Sequence, residues 1–317
     1  MTARARAGAV GLLLGAAALA CQATEPAVDR GDRLWADSAF EEAMAEYRLA
    51  ADQRGDRQAL ARLAHAHARA GDLAETRTAY EQLLALDSAY TDQAVYDYLY
   101  LVDRSMRRGD DYGVAAALDE ALRLRPELQV PGAIRPVARF HREGGALEQA
   151  ADYYRRALTT LPPDSTPEVL FELGLLNEEL DRCDLAIDYY RAFQARARAS
   201  GERRWRTLLG EARWHTGNCS FRLASEARRA GRVSEALAQY ERMIGLGEPE
   251  NLLDRAWFER GEILYGVGRF DEALEAFRMV LERNPARAGQ LVERARERID
   301  EIRFGPGVGA PPDTIPG

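Results

Sequence analysis

The sequence predicts an all-α solenoid, a stack of helical hairpins, on three observations. Apolar and small residues recur at helical spacing on both sides of glycine-containing turns. The same pattern returns along most of the 317 residues, and the patterned part ends on a charged amphipathic helix. With 46% hydrophobic and 30% charged residues, a chain of this length has apolar surface enough for a substantial interior.

The first segment, MTARARAGAVGLLLGAAALAC, has an arginine-bearing start, an apolar run from Ala7 to Ala20 and small residues at its end. This is the layout of a secretory signal, and the run is shorter than the roughly 20 apolar residues of a membrane-spanning helix. Two processing readings meet at one bond. Ala18-Leu19-Ala20 is a site for ordinary signal cleavage, whereas Ala20-Cys21 resembles the end of a bacterial lipobox, with Ala18 and Leu19 in swapped order relative to that motif. The lipobox resemblance implies a signal peptide over residues 1–20, acylation of Cys21 and a lipidated tether over 21–27. Gln22 after the cysteine resembles the context of lipoproteins sent to the outer membrane. Acyl chains would hold the chain there, each buried methylene contributing about 0.8 kcal/mol.

The clearest hairpin is Trp257 to Pro285, WFERGEILYGVGRFDEALEAFRMVLERNP. Its apolar positions lie on both sides of Gly268-Arg269, so two amphipathic helices must pack on each other. Gly261 and Ala273 are small where the helices approach. With Trp257, Gly261, Leu264, Gly268, Phe270, Ala273, Phe277 and Pro285 in place, this unit resembles the tetratricopeptide repeat. That resemblance implies a right-handed solenoid of non-catalytic interaction units.

The same template runs upstream. Its small first-helix residue is Gly31, Ala64, Ala138 and Gly174; its second-helix alanine is Ala43, Ala150, Ala186 and Ala236. The aromatic four residues later is Tyr47, Tyr80, Tyr154, Tyr190 and Tyr240, and Pro126, Pro162 and Pro285 end helices by removing a donor. Thr76 and Val114 replace the alanine, and Val102 stands in the small position of a poorly fitting unit over 92–126. Between Ala186 and Ala236 the spacing widens to 50 residues. A long first helix from Glu202 to Ala230 accounts for it, with Trp214, Asn218 and Phe221 at the template positions and extra residues before Gly231. About seven units fill 28–287. A capping helix over 288–304 presents a polar outer face, and the glycine- and proline-rich tail over 305–317 is expected to be disordered.

No catalytic, cofactor or metal constellation stands out. His65 and His67 point to different faces of one helix, His141 and His215 stand alone, and the stretches EEAMAE, DEALRL and NEELDR interleave acids with arginine as solvated faces do. The net charge is −8, and a chain lacking Arg4 and Arg6 carries −10, which argues against nucleic acid as a partner. All 43 basic residues are arginine, so lysine chemistry is excluded, including the lysine clamp with which cytosolic tetratricopeptide relatives hold a terminal carboxylate. Cys183 and Cys219 either bridge neighbouring units or remain buried thiols.

In the family, first helices line a concave groove, and its contact positions fall here on Trp35, Tyr96, Leu99, Arg135, Arg139, Phe171, Leu175, Phe258 and Tyr265. The resemblance therefore implies a non-enzymatic scaffold that takes an envelope protein or peptide segment into that groove, anchored through Cys21 to the periplasmic face of an outer membrane. A soluble periplasmic accessory subunit of an envelope enzyme is the alternative. Ordinary packing between repeats is a competing use for each groove residue.

Overall fold

The computed structural model describes residues 25–284, 286 and 288–305. The segment expected to be a signal peptide, Cys21, Pro285 and the tail from 306 lie outside the described residues. Among the described residues there are fifteen α-helices and no strand. They form seven hairpins: α1 (Ala27–Ala36) with α2 (Phe40–Arg54), α3 (Arg57–Ala70) with α4 (Leu73–Leu86), and α5 (Thr91–Arg108) with α6 (Asp111–Leu124). Next come α7 (Pro131–Glu143) with α8 (Leu147–Thr160), α9 (Thr166–Glu179) with α10 (Cys183–Ser200), and α11 (Arg206–Arg229) with α12 (Val233–Leu246). Hairpin seven is α13 (Glu250–Gly266) with α14 (Phe270–Arg283), and α15 (Gln290–Phe304) closes the chain.

Two compact units divide these elements, Met1–Leu101 and Val102–Gly317, with the boundary inside α5. In the first unit α1 to α4 each pack on the next helix; in the second α6 to α15 do the same. Alternate helices also touch in the second unit, α9 with α11 and α13 with α15, so first helices of successive hairpins share a face. This is the all-α solenoid arrangement expected from the periodicity.

Local chemistry sets the helix ends. Asp56, Asp72 and Asp110 cap α3, α4 and α6, each accepting hydrogen bonds from backbone N–H groups of the first turn. Inside hairpins six and seven the turn needs a left-handed residue, supplied by Gly231 (φ 72°) and Gly268 (φ 76°). Asp181 takes that conformation between α9 and α10 at φ 60°.

The small residue of each first helix has a specific neighbour. A Cβ added to Gly31, Gly174 or Gly261 would stand 2.5, 2.4 or 2.7 Å from the ring of Tyr47, Tyr190 or Phe277 respectively. Those rings are the aromatics four residues beyond the second-helix alanine, and all three are buried. Hairpin three departs from this pair in both members: Val102 fills the small position and Leu118, fully buried, replaces the ring. The two departures, larger on one helix and slimmer on the other, together conserve volume.

The long helix corrects the expected register. It starts at Arg206, after a 3-10 turn over Arg203–Trp205, and its extra turns are at its beginning, not before Gly231. Ala224, twelve residues before Ala236, is fully buried in the cluster that holds Tyr240, Leu237 and Phe277, as Gly261 lies twelve residues before Ala273. Trp214 is instead 43% exposed, and Asn218 reaches Glu178 at 3.5 Å. The added turns support the α12–α13 connection. Arg213 donates to the Leu246 carbonyl at 2.6 Å, and a Cβ on Gly217 would lie 1.8 Å from the Glu248 carbonyl oxygen.

Cys183, the first residue of α10, and Cys219 on α11 form a disulfide, Cα atoms 5.1 Å apart and 36 residues separated in sequence. It joins hairpins five and six at the point where the spacing widens. The last helix, α15, buries Val292, Ala295, Ile299 and Ile302 at helical spacing and leaves a charged outer face, as the end of a solenoid requires.

Candidate functional site

In the unit Met1–Leu101, the first helices and the start of α2 enclose an open cleft of about 580 Å³. Its wall is aromatic. Trp35 at the end of α1 meets Phe40 of α2 edge-on at 4.8 Å and lies 6.3 Å from the His65 ring on α3. Tyr96 on α5 is 62% exposed at the other side, and the Arg69 guanidinium lies over the Tyr100 ring at 4.2 Å. Trp35 and Tyr96, both expected to face a partner, therefore line one cleft.

A buried carboxylate fixes the polar part of this wall. Asp97 is fully buried on α5 and lies 2.8 Å from His65 Nδ1, while the Tyr80 hydroxyl donates to its second oxygen. Burial, reinforced by Asp97, pushes the Tyr80 hydroxyl far above its usual range, so it remains a donor. The contact between His65 Nδ1 and Asp97 leaves Nε2 as the ring nitrogen free to meet a partner. The ring is thereby held in one orientation beside Trp35.

The expected groove residues of the other unit have different fates. Phe171 and Phe258 are buried, 6% and 2% exposed, and so are core side chains that no partner reaches. Phe171 packs between Phe193, Tyr190 and His215, and Arg294 of α15 stacks over Phe258 at 4.6 Å. Leu175 and Tyr265 are half-buried against the same cores. Arg135 is held between Glu168 at 2.7 Å and Glu172 at 3.1 Å, which joins hairpins four and five. Arg139 is exposed at the edge of a smaller cleft with Tyr154, Glu172 and Glu179. Leu99 is half-buried and does not line the aromatic cleft.

The stretch NEELDR is a solvated face only in part: Glu179 and Asp181 are exposed, whereas Glu178 is drawn into a junction. Glu178 accepts a hydrogen bond from Tyr190 at 2.7 Å and sits 2.6 Å from His215 Nδ1; Glu179 pairs with Arg142 and Asp181 with Arg222. Burial alone would raise the Glu178 carboxyl, but His215, Tyr190 and Asn218 outweigh it and hold the group below its usual range. A third junction repeats this arrangement, with the Tyr153 hydroxyl donating to Asp119 and His141 stacked on Tyr153 at 5.3 Å. His65, His141 and His215 thus each stand beside a carboxylate that also accepts a tyrosine hydroxyl, between neighbouring hairpins. The remaining histidine, His67, is buried, and burial lowers its imidazole.

Among the described residues, no group of three His, Cys, Asp or Glu side chains is placed to hold a metal ion. Nor is any helix among them long and apolar enough to cross a membrane.

Repeated hairpins, small-on-aromatic crossings and a face built by first helices define a helical-repeat protein. Residues 221–288 match the profile of the tetratricopeptide repeat, and the hairpins upstream share the layout of this stretch. No curated protein is significantly similar to the chain in sequence. Similar solved structures include MamA, 21% identical, covering 63% of this chain and 94% of its own with a TM-score of 0.32. YrrB, a TPR protein with an unusual peptide-binding site, is 20% identical over 66% of this chain and 96% of its own, at a TM-score of 0.31. The P58(IPK) TPR domain is 14% identical over 87% of this chain and 97% of its own, at 0.33. Likeness at this level says nothing about partners.

Sequence reasoning missed the cleft's remaining wall of Phe40, Met44, His65, Arg69 and Tyr100. Only the spacing of the exposed aromatics was a signal for it.

Proposed function

We propose that this chain is a non-enzymatic interaction scaffold of the bacterial cell envelope, and that the cleft between Trp35 and Tyr96 takes an extended segment of a protein partner. The cleft carries the reading: Trp35, Phe40, Tyr96 and Tyr100 line it, and His65 and Arg69 give it polar contacts held in place by Asp97 and Tyr100. Tryptophan, tyrosine and arginine are the side chains that dominate interface energetics. A segment lying there would bury apolar surface on Trp35 and Phe40 while its backbone meets the outer ring nitrogen of His65.

Attachment through an acylated Cys21 is the second part of the proposal. It rests on the signal-like segment ending at Ala20-Cys21, and the Cys183–Cys219 disulfide supports an oxidising compartment such as the periplasm. The two parts are tested separately. Co-purification of a discrete partner with wild type should fail with Trp35→Ala and Tyr96→Ala, and unchanged recovery would refute the cleft. A Cys21→Ser variant should leave the membrane fraction; retention as firm as wild type would refute the anchor.

A further inference from the structure

At the junction of hairpins six and seven the charge balance breaks. At other junctions arginines of this face are matched by carboxylates of their own: Arg135 has Glu168 and Glu172, Arg142 has Glu179, and Arg298 has Glu262 and Glu301. Between α11 and α13, a cavity of about 300 Å³ is lined by Arg228, Arg229 and Arg255, with Glu259 as the single acid among its lining residues. Arg228 pairs with Glu259, and Arg255 lies 3.8 Å from the same carboxylate. The neighbouring acids are engaged or turned elsewhere. Asp254 is held by Arg283 at 2.8 Å, Glu262 by Arg298 at 2.7 Å, and Glu226 is exposed outside the lining.

The arginines are positioned as well as charged. The Arg255 guanidinium lies over the Phe221 ring at 5.6 Å, and Arg229 Nε donates to the Ser225 carbonyl at 3.2 Å. Ser225 and Tyr240 add hydroxyls to the wall, 3.4 Å from one another. Glu259 is only 15% exposed on its side chain, whereas Arg228 and Arg255 are 41% and 63% exposed, so the anion is at the floor and the cations at the mouth.

We infer that this cleft is a subsite for two carboxylate side chains of an acidic peptide segment, a binding chemistry that extends the scaffold reading. Three guanidinium groups against one carboxylate leave a local excess of two positive charges, which two side-chain carboxylates neutralise and a lone chain terminus does not. Guanidinium forks pair with carboxylates in bidentate, charge-assisted hydrogen bonds. A long polyanion is disfavoured because the chain as a whole carries −8.

The test is fluorescence anisotropy on the full chain with three probes: an end-blocked peptide bearing two aspartates, a neutral peptide with a free carboxyl terminus, and heparin. The blocked acidic peptide should bind best, and more weakly as salt rises. Its affinity should fall about tenfold in Arg255→Gln, less in Arg255→Lys, and should rise in Glu259→Gln. Arg255→Gln should melt as wild type does, because that side chain is mostly exposed. Failure of the acidic peptide to bind, equal binding by Arg255→Gln, or stronger binding of the neutral peptide or heparin would each overturn the inference. Partner capture through Trp35 and Tyr96 would be untouched by that outcome, so the subsite and the scaffold reading fail independently.

Discussion

The groove residues expected in the two units sit at different template positions and are put to different uses: Phe171, Phe258 and Arg135 stand three residues before the small residue of their hairpins, Trp35 four after Gly31 and Tyr96 six before Val102. In Met1–Leu101, a half-buried Trp35 and an exposed Tyr96 line a cleft. Within Val102–Gly317, Phe171 is covered by His215, Phe258 by Arg294, and Arg135 is neutralised by two glutamates. Position in the repeat decides which way a side chain faces, and the next hairpin decides whether it is covered. A residue becomes a contact or a lock according to the side chain its neighbour brings.

If the second unit is built of locks, breaking them should cost stability. The largest effect is expected from the disulfide: Cys183→Ser should lower the unfolding free energy by about 3 to 4 kcal/mol, from loop closure over 36 residues, measured by denaturant titration. Next comes the helix crossing. Gly261→Val sets a Cβ against the Phe277 ring and should cost roughly 1 to 3 kcal/mol. Adding Phe277→Leu should restore part of that loss, since Val102 with Leu118 is this chain's own version of the pair. No recovery in the double variant would show that ring volume is not what the glycine accommodates.

The Glu178 junction predicts a pH dependence. Its carboxyl titrates below the ordinary 4.5 in the folded chain, so the stabilisation is complete above that pH and is lost as pH falls through the folded value. The melting-temperature gap between wild type and Glu178→Gln should therefore be widest near neutrality and close on acidification below 4.5. In the first unit the smallest stability change goes with the largest binding change. Tyr96→Ala, at a 62% exposed position, should shift stability by no more than about 0.5 kcal/mol while weakening partner capture.

Much of the fold was legible because the hairpin crossing leaves a rigid mark. Twelve residues separate Gly31 from Ala43, Ala138 from Ala150, Gly174 from Ala186 and Gly261 from Ala273, and the ring follows four later. Applied back from Ala236, the same interval reaches Ala224 and places the extra turns of α11 correctly. Reading forward from Trp214 missed this, because a large aromatic at helical spacing looks the same whether it faces a partner helix or solvent. The site was less legible for a related reason. Whether Phe258 is groove or core depends on Arg294, 36 residues away, and Glu178 of NEELDR looks solvated until His215 and Tyr190 are brought beside it.

The most direct measurement is site-specific photocrosslinking in living cells with the reactive residue at Tyr96, and in a parallel strain at Leu86, which is 60% exposed and does not line the cleft. The account predicts one discrete protein adduct from Tyr96 that disappears with Trp35→Ala and is absent from Leu86. Identical adducts from both positions, or an adduct at Tyr96 that persists without Trp35, would contradict it.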